Sequence, residues 1–185
     1  MFNEITENHC EYSKKLVTTY EESKELGLNP EYFKFRPLSQ KDFVNIFSVI
    51  DQLQPILNYD HISGGCLYVH NQLKNELIKH GYLSELIFGD VLINDRAYID
   101  CSIDDLKQQL RSGIEIGKQK VHCWLMLENY QFFDATLYRD LTDGVYAAEL
   151  YGYGATTLDG NLFNHEPMLA GYEFIKRTNP ISENI

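Results

Sequence analysis

The sequence predicts an α+β fold, with helices concentrated before residue 81 and strands after it. Three observations carry that prediction. Residues 9–26, 39–50 and 66–80 repeat apolar side chains at helical spacing. From residue 83 onward, apolar runs take the two-residue period of strands. Residues 120–126 and 130–135 are two such runs flanking Glu128-Asn129, the pattern of a hairpin.

Each element has a local reason. In the first helix Tyr12, Leu16, Thr19, Tyr20, Ser23 and Leu26 share one side, and Gly27 and Pro30 stop it. Ser39 followed by Asp42 is an N-cap with a carboxylate three residues on. Phe43, Ile46, Phe47 and Ile50 continue that second helix. Cys66, Val69, Leu73 and Leu77 mark a third, closed by Gly81. Residues 84–93 read as one strand, or as two that break at Gly89-Asp90. Ser102 and Asp105 form a second capping pair for a short helix through Leu106 and Leu110, ended by Gly113. Residues 120–126 are apolar on both faces, which marks a central strand. Residues 145–153 and 169–175 are further strand candidates, with Gly152, Gly154 and Gly160 marking a loop region between them. The tail from Pro180 is polar.

The 185 residues suit a single domain: a helical part over 1–50, a core over 60–140, and further strands and loop over 141–185. A net charge of −11 with scattered basic residues disfavours nucleic acid as a partner. No stretch approaches the ~20 apolar residues of a membrane span, so no membrane partner is expected. The first residues carry neither a basic nor an apolar leader segment, so a cytoplasmic location is expected. Without a secretion signal, Cys10, Cys66, Cys101 and Cys123 all read as thiols.

One constellation suggests chemistry. Gly64 and Gly65 precede Cys66, which then opens a helix. Taken alone, Gly-Gly-Cys is most simply a buried cysteine behind a glycine turn. A helix N-terminus, however, favours thiolate over thiol, and its free amides can hold an oxyanion beside the sulfur. A nucleophilic thiol needs a base, and the base needs an orienting group. His122 and Asp134 lie on the two strands of the hairpin. If they face each other directly, Trp124 faces Phe132 and Met126 faces Tyr130. The loop is then residues 127–129, with Asn129 in the left-handed region. Upstream of the cysteine, Gln54, Asn58, Tyr59 and His61 are candidate oxyanion donors, with no means of choosing among them. Gly65 and Trp124 are further substrate-binding candidates. A metal reading would join Cys66 and His70, one turn apart, to His122 or Cys123, but four convergent ligands are not at metal-site spacing. No metal and no cofactor is expected.

The ordered set of Gly-Gly-Cys66 opening a helix, then His122-Cys-Trp124, then Asp134-Ala-Thr136 resembles the transglutaminase-like branch of the papain-like cysteine enzymes. The match covers about residues 60–140. Leu67 stands where that family often has Trp after the cysteine, and Phe132, Phe133 and Ala135 replace its usual Trp and Pro near the Asp. The resemblance implies a nucleophile helix packed against an antiparallel sheet or half-barrel. It implies Cys66 as nucleophile, His122 as base and Asp134 as orienter. The chemistry would be hydrolysis, deamidation or acyl transfer through a thioester, on a peptide, protein or small amide substrate. The alternative is a non-catalytic protein-interaction module on the same fold, served by the aromatic C-terminal half with Tyr138, Tyr146, Tyr151, Tyr153, Phe163 and Tyr172.

Overall fold

A computed structural model describes residues 10–53, 65–113, 120–142 and 148–178. Three helices come first: α1 (Cys10–Glu25), α2 (Gln40–Leu53) and α3 (Cys66–Lys79). β1 (Ser84–Ile93), β2 (Arg96–Ala97) and α4 (Ile103–Ser112) follow, then β3 (His122–Leu127), β4 (Phe132–Asp134) and α5 (Leu137–Leu141). The chain continues through β5 (Leu150–Gly152), β6 (Ala155–Leu158) and β7 (Asn161–Ala170) to α6 (Glu173–Thr178). The strands form one sheet in the order β5-β4-β3-β1-β7-β6, with β2 paired to β1. All pairings are antiparallel, and β5 and β6 also meet, so the sheet nearly closes on itself. No described helix is long and apolar enough to cross a membrane.

Alternation along the strands divides the core in two. Leu86, Phe88, Cys123, Leu125 and Phe133 face one side, against Val69, Leu73 and Leu77 of α3 and Ile46 and Val49 of α2. Ile87, Val91, Trp124, Met126 and Phe132 face the other, against Tyr12, Leu16 and Tyr20 of α1. The α1 stripe is the expected one, with Thr19 and Ser23 buried as well. Both capping pairs form. Asp42 accepts from the Ser39 amide at 2.7 Å, and Ser102 and Asp105 cap α4 reciprocally. A buried ion pair, Lys74 to Glu85 at 2.7 Å, fastens α3 to the start of β1.

Several expectations need correction. Of the two readings for residues 84–93, the single strand holds: β1 is continuous, with a register shift at Phe88/Gly89. Glycine is required there: a Cβ on Gly89 would lie 2.0 Å from the Glu166 carbonyl oxygen of β7. The β3–β4 register pairs Leu125 with Phe133 and Met126 with Phe132, two residues away from the direct pairing of His122 with Asp134. The reason lies in the turn. Tyr130, not Asn129, takes the positive φ (63°), while the Asn129 side chain accepts from the Gln131 amide at 3.2 Å. A shift of two preserves the face, so His122 and Asp134 stay on one side as diagonal neighbours. Of residues 169–175, only Leu169 and Ala170 are strand. β7 ends at Ala170, Gly171 turns with φ 109°, and α6 begins at Glu173. The expected loop around Gly160 is a β6–β7 hairpin turning on Asp159 and Gly160, both at positive φ. Of residues 145–153, β5 occupies Leu150–Gly152, and residues 143–147 lie outside the described residues.

Candidate active site

α3 packs on β1 and β3 by the face that carries Val69 and Leu73, whereas His122 points to the opposite side of the sheet with Trp124. Cys66 still reaches His122 because it is the first residue of α3 and sits at the start of β3. Its Sγ lies 3.9 Å from the Val121 carbonyl, and the sulfur is close enough to the His122 ring to help raise the imidazole pKa. Gly65 is the N-cap, with φ −64° and no side-chain cap. Cys66 is 5% exposed and His122 1%.

Asp134 is the hub. Its Oδ2 accepts from His122 Nε2 at 2.6 Å and from His165 Nε2 at 3.0 Å. Its Oδ1 accepts from the Thr136 amide at 3.0 Å, the Leu137 amide at 3.1 Å and the Thr136 hydroxyl at 3.3 Å. The Asp-x-Thr spacing thus has a local cause: the carboxylate collects the first donors of the turn into α5. Burial alone would raise the Asp134 pKa, but His122, its hydrogen bond, and His165 and His70 outweigh burial and hold the carboxyl well below its usual range. For His122 burial acts downward, and the Asp134 charge and hydrogen bond, with Cys66 adding, hold the imidazole well above its ordinary value. Because Nε2 is committed to Asp134, Nδ1 is the nitrogen left for Cys66.

His70 holds this arrangement together. Its Nδ1–H donates to the Cys66 carbonyl at 2.9 Å, and its Nε2 accepts from the Ala135 amide at 3.0 Å. The bond from the Ala135 amide requires the neutral ring, since a protonated imidazole has no acceptor nitrogen. Burial lowers the His70 pKa to about 4, against the pull of Asp134. Although Nε2 stands 3.7 Å from Asp134 Oδ1, a nitrogen already accepting a proton does not form an ion pair there. His70 therefore ties the first turn of α3 to the end of β4, and it fixes the spacing of Cys66 from Asp134.

The rest of the lining is aromatic. Tyr98 stands edge-on to His122 (5.8 Å between centroids, 90°) and is half-buried. Buried Asp90 holds its segment by accepting from the Ile99 and Cys101 amides at 3.0 and 2.8 Å. Trp124 packs beside His122 at 5.8 Å and is fully buried, so it forms a wall of the site. Gln54, Asn58, Tyr59, His61 and Gly64 lie outside the described residues.

Cys66, Cys101 and Cys123 are unbridged. Cys101 is pushed up to about 12 by burial with Asp90 beside it. Cys123 is raised well above the usual thiol value by burial with Cys66 beside it. The ligand atoms of His122, Asp134 and His165 lie within 4.8 Å of one another, the spacing of a possible metal site. The contacts are hydrogen bonds, however. Ligand atoms about 2.0–2.2 Å from a tetrahedral ion stand about 3.3 Å apart, farther than the 2.6 Å from His122 to Asp134. A groove of about 460 Å³ bordered by Lys15, Thr19, Lys107 and Glu166 involves none of Cys66, His122 and Asp134.

Of the residues singled out from the sequence, His122 bonds Asp134 and Cys66 lies beside His122. Sequence reading weighed His70 only as a metal ligand, although its place one turn after Cys66 was a usable signal. It did not single out His165, which carries no local signal. No known protein family, curated protein or solved structure matches the chain.

Proposed function

We propose that this chain is a cysteine-dependent acyl-group enzyme on a transglutaminase-like core, acting on an amide of a peptide, protein or small molecule. The observation that carries the reading is the position of His122, hydrogen-bonded to the buried Asp134 carboxylate at 2.6 Å and close enough to Cys66, at a helix start, for the sulfur to act on its charge.

The steps follow from that order. Asp134 accepts from Nε2, so the proton-transfer nitrogen facing Cys66 is Nδ1. His122 takes the thiol proton, and the sulfur attacks the amide carbon. The free amides of the first turn of α3 stand where the oxyanion forms. As the C–N bond breaks, His122 returns that proton to the leaving nitrogen, leaving a thioester on Cys66. Water or a second amine then attacks the thioester. Its proton passes through His122 to the departing sulfur, and the product is an acid or a new amide. The buried Asp134 charge stabilises the imidazolium that exists between the two transfers.

The test is alkylation of the folded protein with iodoacetamide, followed by peptide mass spectrometry. Cys66 is expected to label far faster than Cys101 and Cys123, and His122→Ala is expected to remove the difference. With an acyl-directed electrophile, Cys66→Ala abolishes adduct formation, His122→Ala does nearly as much, and Asp134→Asn slows it by up to about 10⁴-fold. Equal, slow labelling of the three cysteines, or acyl chemistry surviving in Cys66→Ala, would end the proposal. Equal labelling would leave the non-catalytic interaction module.

A further inference from the structure

His165 lies on β7 opposite Val91 of β1, and its side chain is fully buried among aromatic rings. Phe132 stacks on it at 3.8 Å and 21°, and Trp124 meets it edge-on at 4.9 Å and 82°. This clamp aims Nε2 at Asp134 Oδ2, 3.0 Å away. An ionised carboxylate only accepts, so Nε2 carries the proton and Nδ1 is bare. That Nδ1 is buried without a hydrogen-bond partner. An orphaned nitrogen in an aromatic core is unfavourable, and leucine or phenylalanine would avoid it. What the histidine contributes in return is one N–H on the carboxylate that orients His122.

We propose that His165 is a positioning residue for the His122–Asp134 pair. Its N–H shares Oδ2 with His122 and limits how strongly Asp134 retains the His122 proton. The inference rests on the acyl-group reading of Cys66 and His122. Oδ1 is already fixed by Thr136 and Leu137, so the carboxylate cannot turn away, and the balance at Oδ2 lies between two imidazoles. Two donors on one oxygen divide its charge. Without His165, the bond to His122 tightens, and the imidazolium releases its proton less readily to a leaving amine.

The titratable groups facing His122 are Cys66 and His70 from α3, Tyr98 from the segment after β2, Asp134 from β4, Asp140 from α5 and His165 from β7. Those facing His165 are Asp134, His122 and Glu166. Burial lowers the His165 pKa, with Asp134 opposing it, so the ring is neutral near pH 7 and acts as a donor rather than a charge.

The experiment compares His165→Leu, His165→Asn and His165→Gln by NMR titration of His122 in histidine-labelled protein, alongside the pH profile of Cys66 alkylation. Glutamine places an amide N–H where Nε2 stands, whereas asparagine stops short and leucine has no donor. The expected result is a His122 midpoint raised by about half to one pH unit in the Leu and Asn variants, the size of one lost hydrogen bond, with glutamine restoring it. The alkaline limb of alkylation is expected to move with it. Should leucine fail to fold, the Asn–Gln comparison decides. An unmoved His122 midpoint in folded Asn or Leu variants, even with a lower melting temperature, overturns the proposal and reduces His165 to a structural contact. The two readings fail separately: slow wild-type alkylation of Cys66 sinks the acyl-group reading, whereas an unmoved His122 midpoint sinks only the role of His165.

Discussion

His70 shows how one side chain sets a distance that catalysis would depend on. It bonds the Cys66 carbonyl and the Ala135 amide at once, and so holds the thiol-bearing turn against the strand that delivers Asp134. His70→Leu preserves volume but leaves the Ala135 amide without its acceptor. A stability loss of about 1–3 kcal/mol is expected in urea unfolding. Cys66 alkylation is expected to slow more than the stability loss explains, because the thiol and His122 no longer hold their spacing. Unchanged alkylation in a folded His70→Leu protein would show that the spacing is set elsewhere.

At the level of elements, local and non-local causes separate cleanly. The α4 capping box closes within four residues, and its loss is correspondingly local: Ser102→Ala is expected to cost about 1 kcal/mol and to leave Cys66 labelling alone. Gly89 is the opposite case. Its missing side chain admits the β7 backbone, and it pairs directly with His122 on β3. In Gly89→Ala the new Cβ meets a backbone oxygen at 2.0 Å and a Trp124 ring atom at 3.1 Å, so β1 and β7 must separate. The expected loss is about 3 kcal/mol in denaturant melts, with slower Cys66 alkylation because His122, paired to Gly89, shifts away from Cys66. A well-tolerated Gly89→Ala would mean that the sheet relaxes there without cost. The Lys74–Glu85 pair works on the same scale. It joins α3 to β1 and has no counterpart in either element's own pattern.

The whole molecule registers the histidines as a pH dependence of stability. His70 and His165 are depressed in the fold. Below about pH 6.5 the unfolded chain protonates them while the native state does not, so stability falls as pH drops toward about 4. For His70 alone the shift corresponds to about 3 kcal/mol. His122 is raised, so its contribution is fully present below about 6.5 and is lost as pH rises through its folded value. Asp134 is lowered, and its contribution is present above about 3.8 and lost at lower pH. Stability is therefore expected to peak near neutrality, with an acid limb that begins before the carboxylates titrate. Chemical denaturation at a series of pH values checks this, and His70→Leu is expected to flatten the limb between pH 6.5 and 4. A flat wild-type profile over that interval would contradict the neutral state assigned to His70.

The sequence by itself determined the caps at Ser39 and Ser102, the buried stripe of α1, the start of α3 at Cys66, and the shared face of His122 and Asp134. Each depends on residues within a few turns or on strand parity, which survives a register slip of two. Asp159-Gly160 was an equally local signal for the β6–β7 hairpin, obscured by neighbouring glycines read as loop. Tertiary structure alone decided the remainder. The exchange of Asn129 for Tyr130 at the left-handed turn position depended on an Asn129 side-chain bond. The end of β7 depended on Gly171, where a Cβ would meet the Leu28 carbonyl oxygen at 2.6 Å. The meeting of His70 with the Ala135 amide and of His165 with Asp134 depended on α3 packing over β3 and on β7 lying beside β1. These contacts join residues 31 and 65 positions apart, and no periodicity of the chain encodes which distant partner a buried polar group will meet.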